Sequence, residues 1–275
     1  MHPVRPPAVA GAFYPGDSQT LSHDVLAMLA AAKPCAANSA TGPAKPPKAL
    51  IVPHAGYIYS GATAAQAYAR LAAMHQTIRR VVLLGPVHRV PVRGLALPGA
   101  DYFATPLGQI EIDQDAVAAI RALPQVVVSP AAHAQEHSLE VQLPFLQLAL
   151  DDFKLLPLAV GDATPAEVAQ VLDVLWGGDE TLIVISSDLS HFLPYATAQA
   201  VDRETVQDML QLHTDLNHQQ ACGATPVNGL LLAARQHQLQ PHLLALCNSG
   251  DTAGDKARVV GYAALAFAQG ASHAH

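Results

Sequence analysis

The hydrophobic positions fall into two kinds of segment. Short unbroken runs such as Ala49-Leu50-Ile51-Val52-Pro53, Val81-Val82-Leu83-Leu84-Gly85 and Leu182-Ile183-Val184-Ile185 are β-branched, bounded by Pro, Gly or Ser, and too short for helices. They predict buried strands. Strands are expected at 49–53, 80–85, 94–98, 154–160, 181–187 and 257–264. Between them lie stretches of helical spacing, which predict helices over 61–73, 113–122, 137–150, 165–176, 197–212 and 226–237. A further helix is expected over Ser18–Ala32, with Asp17 or Ser18 as N-cap. Pro144 should kink the 137–150 helix or start a new turn.

Strand–helix alternation predicts an α/β fold with a mainly parallel or mixed central sheet flanked by helices on both faces. The stretch 33–48 is rich in Pro and Ala and reads as an exposed connection. It lies too near the N-terminus to divide two domains, so residues 1–275 are read as one.

Composition narrows the function classes. The chain is 51% hydrophobic and 13% charged, enough apolar material for a sizeable core. Its formal net charge is −7 and no basic run occurs, which argues against nucleic acid or an anionic membrane as partner. No apolar stretch reaches the roughly 18 residues of a membrane span. The start, Met1-His2-Pro3-Val4-Arg5-Pro6-Pro7, lacks the apolar core of a secretory signal, so a cytoplasmic location is expected. Cys35, Cys222 and Cys247 have no zinc-ribbon spacing and read as thiols.

The candidate chemistry sits where predicted strands end. His54 follows one apolar run and His88 another. In open α/β sheets, loops leaving the carboxyl ends of strands carry ligand sites. Two imidazoles so placed could share one metal ion. A third run ends in Ser186-Ser187-Asp188-Leu189-Ser190-His191, where Asp188 could ligate metal or orient a histidine, and His191 could be a ligand or a base. Glu136-His137 is expected at a helix start and His137 is read as lining the site. Asp251 and Asp255, in a Gly- and Asp-dense turn, could complete a two-His, one-carboxylate set suited to iron(II). Cys222-Gly223 precedes an apolar helix, but nothing in the local sequence activates that thiol.

Several segments together resemble the Memo family, whose bacterial and archaeal members are called AmmeMemoRadiSam system protein B. They are Ala10-Gly11-Ala12-Phe13-Tyr14-Pro15, Pro53-His54-Ala55-Gly56-Tyr57, Gly85-Pro86-Val87-His88, Thr105-Pro106-Leu107-Gly108, Glu136 to Phe145, Ser186 to His191 and Val260-Gly261-Tyr262. The resemblance implies a fold similar to class III extradiol dioxygenases and a metal on His54 and His88. In animal members a cysteine is the third ligand. Its place, counted back from Gly261-Tyr262, falls near Thr252, beside Asp251. Asp251 is therefore the expected third ligand here, with Asp188 and Cys247 as rivals.

The resulting expectation is a mononuclear metal protein, with iron(II) ahead of copper or zinc. It would be a non-haem oxidoreductase of dioxygenase type acting on a small substrate, with His191, Asp188 and His137 as its catalytic groups. Two alternatives stand beside it. One is a non-catalytic metal- or peptide-binding protein in a pathway with AMMECR-like and radical SAM proteins, partners implied by the family name. The other is a metal-assisted hydrolase.

Overall fold

The computed structural model describes residues 2–32 and 46–270. Its elements in chain order are β1 (Val4–Arg5), α1 (Ser18–Ala31), β2 (Ala49–Val52), α2 (Tyr57–Tyr68), β3 (Arg80–Pro86), β4 (Leu95–Leu97), β5 (Tyr102–Thr105) and β6 (Gly108–Glu111). They continue with α3 (Gln114–Ile120), β7 (Val126–Val128), α4 (Pro130–Ala134), α5 (Leu143–Ala149), β8 (Lys154–Val160) and α6 (Pro165–Leu175). The last are β9 (Thr181–Ser186), β10 (His191–Leu193), α7 (Tyr195–Leu210), α8 (Ala224–Gln236), β11 (Leu239–Asn248) and β12 (Val259–Gln269).

Nine strands form one mixed sheet in the order β10-β12-β2-β9-β3-β8-β4-β7, with β11 on β12. Its centre, β2-β9-β3-β8, is parallel. The expected α/β class is what the structure shows. Each central strand is buried on both faces, which is why its sequence is continuously apolar rather than alternating. Leu50, Val52, Val81, Leu83, Leu182 and Val184 face one core, against Leu21, Leu71 and Phe145. Ile51, Val82, Leu84, Ile183 and Ile185 face the other, against Val168, Leu172, Leu230 and Leu231 of α6 and α8.

Most helices begin or end where the sequence says. The Asp17 side chain caps α1 by accepting from Thr20 N at 2.8 Å, and Thr164 and Glu167 form a capping box on α6. Pro144 sits in the first turn of α5, preceded by a 3₁₀ turn over Glu140–Gln142, so the expected long helix is broken there. Glu136 and His137 consequently lie in the link between α4 and that turn, not on a helix start. Of the expected connection at 33–48, residues 33–45 lie outside the described residues. Its last residues depart from the expectation: Pro47 is buried, and Lys48 Nζ donates to the carbonyls of Trp176, Gly178 and Thr181.

The parallel centre brings the functional loops to one edge. Val52 pairs in register with Ser186, and β3 runs beside β9. The chain leaving β2 reaches His54, that leaving β3 reaches His88, and that leaving β9 reaches Asp188.

Candidate metal centre

His54 is 2% exposed, and its peptide N–H donates to Asp188 Oδ1 at 2.7 Å. Its ring is held by a hydrogen-bond chain through the core. Tyr68 OH donates to Gln142 Oε1, and Gln142 Nε2 donates to Ser186 Oγ at 2.8 Å. The Ser186 hydroxyl donates its single proton to the Ser138 carbonyl at 2.6 Å. Ser186 Oγ, 2.9 Å from His54 Nδ1, can then only accept. His54 therefore carries its proton on Nδ1 and presents the Nε2 lone pair.

Glu136 orders two more imidazoles. His88 Nδ1 lies 2.8 Å and His137 Nδ1 3.3 Å from its Oε1. The same carboxylate accepts from the peptide N–H groups of His88, His137 and Ser138. Burial opposes its ionisation. The hydrogen bonds from His137 and His88 outweigh that and hold its carboxyl well below the usual range. An ionised carboxylate only accepts, so both rings also bear their protons on Nδ1. A residue at 85 with a side chain would collide here, since a Cβ would lie 2.8 Å from Ser138 Oγ; the bare Gly85 lets this segment close over the end of β3. His191, first residue of β10, follows the same rule: its Nδ1 is 2.8 Å from the Leu189 carbonyl oxygen.

Four imidazoles thus have Nδ1 tied to an acceptor and Nε2 left over, the arrangement seen when histidines bind metal. The ring centroids of His54, His88 and His137 lie 5.3, 5.3 and 4.6 Å apart. Among the described residues, two groups have donor atoms close enough to hold one ion: His54, His88 and Cys222, and His88, Glu136 and His137. Burial, then the neighbouring His137 and His88, pushes the His54 pKa well below its ordinary value, so that ring is neutral as a ligand must be. The donor set fits a divalent transition metal.

Asp188 does not orient His191, since the Leu189 carbonyl does. Its Oδ2 lies 3.9 Å from His54 Nε2 and its pKa is raised by burial. Asp188, His137 and His191 line one cleft of about 610 Å³ with Phe13, Tyr59, Arg258 and Tyr262. His88 and Cys222 line a second, of about 600 Å³, on the Pro86–Val92 side. A larger cleft of about 960 Å³ opens at the amino ends of β3 and β8. In it Arg80 pairs with Asp113 at 2.6 Å and Lys154 with Glu111 at 2.7 Å, and no histidine lines it.

The expected third ligand is misplaced. Asp251 caps its own 3₁₀ turn by accepting from Asn248 N, and its other oxygen accepts from Tyr195 OH. It lines a cavity of about 80 Å³ with Cys247 and Asp202, away from the histidine groups. Cys247 is 3.0 Å from Thr63 Oγ1 and also belongs to neither group. Asp255 does line the 610 Å³ cleft. Sequence reasoning missed Glu136 as the holder of two imidazoles, and it set aside Cys222.

Comparison with known proteins agrees with the segments that suggested a family. A family profile described as "Memo-like protein" matches residues 5–266. A "MEMO1 family protein" of Aquifex aeolicus is 38% identical over 277 residues, covering 96% of this chain and 99% of its own length. One from Metallosphaera sedula is 36% identical over 288 residues, with 96% and 99% covered. Among solved structures, an uncharacterised protein of Escherichia coli K12 aligns with a TM-score of 0.46 and 16% identity, over 78% of this chain and 98% of that one.

Proposed function

The chain belongs to the Memo family, and on that premise we propose that it is a non-haem metal oxidoreductase whose ion sits on His54 and His88. The observation that carries the reading is the pair of imidazoles 5.3 Å apart, each with Nδ1 fixed by a buried acceptor, and with His54 Nε2 turned toward Cys222 Sγ at 3.4 Å. Rings held that way are pre-oriented for an ion rather than packed as filler. The bound ion would supply Lewis acidity and, as iron(II), one-electron chemistry with dioxygen.

The protein's own groups divide the remaining work. The 610 Å³ cleft receives a small substrate between Phe13, Tyr59 and Tyr262, with Arg258 at hand for a negative charge. His191 and His137 line that cleft, where an imidazole can serve as general acid or base. Asp188 fixes the His54 peptide, and its burial-raised carboxyl is a third proton-transfer group facing the same space.

Anaerobic purification and metal analysis, followed by oxygen uptake with catechols, tests the proposal. It expects bound iron and His54-dependent oxygen consumption. Iron-loaded protein that consumes no oxygen with any phenolic substrate would favour the binding-protein reading. Zinc with hydrolytic turnover would favour the hydrolase.

A further inference from the structure

We propose, on the reading that the 610 Å³ cleft holds the substrate, that Arg258 seated on the Phe192 ring is its anion subsite and that the substrate is a hydroxylated aromatic carboxylate. Among the described residues, Arg258 is the one arginine or lysine lining the cleft, and no carboxylate is ion-paired with its guanidinium. The guanidinium carbon lies 4.9 Å from the Phe192 ring centroid. That cation–π contact limits where the fork can go while leaving its N–H donors free. The seat is built by a break in the sheet. His191 pairs with Val260 and Leu193 with Val259, so Phe192 is an extra residue on β10. Its φ of 60° lies in the left-handed region, which a bulky side chain seldom adopts and which persists only where the surroundings enforce it. One bulge therefore does two things: His191 lines the cleft, and the next ring is left 60% exposed against Arg258.

The rest of the cleft defines what the anion is attached to. Phe13, Tyr59 and Tyr262 line it with ring surface, and its volume is ample for a single-ring molecule. His137, His191 and Asp188 supply polar groups for a ring hydroxyl. A guanidinium fork matches the two coplanar oxygens of a carboxylate, and one carboxylate balances its single charge. The Asp255 carboxylate holds the turn that carries Arg258, accepting from the peptide N–H groups of Ala257 and Arg258 at 2.7 and 3.4 Å. It lines the same cleft, so a phosphate dianion on Arg258 would bring its second charge towards a like charge. A monoanion avoids that repulsion.

The test is anaerobic titration calorimetry on the full-length chain with matched probes: 3,4-dihydroxybenzoate, its neutral amide 3,4-dihydroxybenzamide, and 3,4-dihydroxyphenylphosphonate. The natural chain should bind the benzoate roughly tenfold or more tightly than the amide, the factor expected of a charge-assisted pair. It should also prefer the benzoate to the phosphonate. Arg258→Gln should bring benzoate and amide together without weakening the amide. Phe192→Leu, which removes the ring face, should lose part of the benzoate preference and spare the amide, a split that general loss of structure would not produce. The benzoate–amide comparison uses the natural chain, so it stands even if a variant folds poorly. Equal affinity for benzoate and amide, a preference that survives Arg258→Gln, tightest binding of the phosphonate, or no binding of any probe would each overturn the assignment. Iron content and oxygen uptake on the same preparation decide the oxidoreductase reading separately. Iron-dependent turnover of catechols with no benzoate preference would sink the subsite alone. A benzoate preference lost in Arg258→Gln, in protein that consumes no oxygen, would sink the oxidoreductase reading alone.

Discussion

Two buried carboxylates stand four residues apart in one segment and do opposite kinds of work. Glu140 is fully buried and takes the Arg5 guanidinium, the peptide N–H groups of Ala8 and Val9 at 2.7 and 3.0 Å, and Tyr14 OH at 2.6 Å. Every one of those donors belongs to the N-terminal segment, so Glu140 clamps that segment onto the domain. Glu136 is as buried, but its principal donors are the rings of His88 and His137. Those rings have a second nitrogen, and Glu136 leaves it pointing elsewhere. Arg5 touches both regions, since it also donates to the carbonyls of His133 and Glu136. Burial alone does not separate a clamp from a site; what the partner has left over does.

The comparison breaks if the two carboxylates respond alike to substitution. Glu140→Ala should be the most damaging to the fold, because it strands a buried guanidinium and two peptide donors. A loss of about 3–5 kcal/mol in chemical denaturation is expected. Metal affinity per folded molecule should change little. Glu136→Gln should do the reverse, weakening metal binding by roughly 10–100-fold in a chelator competition, with a smaller stability loss than Glu140→Ala. Equal loss of stability and no change in affinity would merge the two roles.

Ser186→Ala sharpens the contrast on the His54 side. It removes the acceptor for His54 Nδ1–H and leaves Gln142 Nε2 short of a partner, at a cost of about 1–3 kcal/mol. Metal affinity should fall as well, because the ring is then free to turn. A further contrast lies in pH dependence. Burial lowers the His133 pKa from 6.5 to about 4 and lowers that of His54 too. Over that interval the unfolded chain takes up protons that the folded chain refuses. Stability should be full above pH 6.5 and fall as the pH drops towards 4. His133→Gln should flatten that slope, while Glu140→Gln should not.

How much was legible follows from the range of the interactions. The parallel strands were readable because burial on both faces writes an unbroken apolar run, as in β2, β3 and β9. Strand β11 was not, because Pro241 and His242 interrupt it and most of it is only partly buried. The strand-end histidines were visible as local features, and so was Asp188. Cys222 was not, because it meets His54 across 168 residues and no neighbour in the sequence marks it. Asp251 misled for a local reason. A Gly- and Asp-dense turn looks like a ligand loop, yet such a turn can satisfy its own peptide donors with the same carboxylate, as this one does through Asn248 N.

The most direct test of the metal centre is an anaerobic calorimetric titration of metal-free protein with iron(II), run in parallel on the natural chain, His54→Ala and Asp251→Ala. The account predicts one ion per chain in the natural protein, none in His54→Ala, and undiminished binding in Asp251→Ala. Full iron binding by His54→Ala would contradict it.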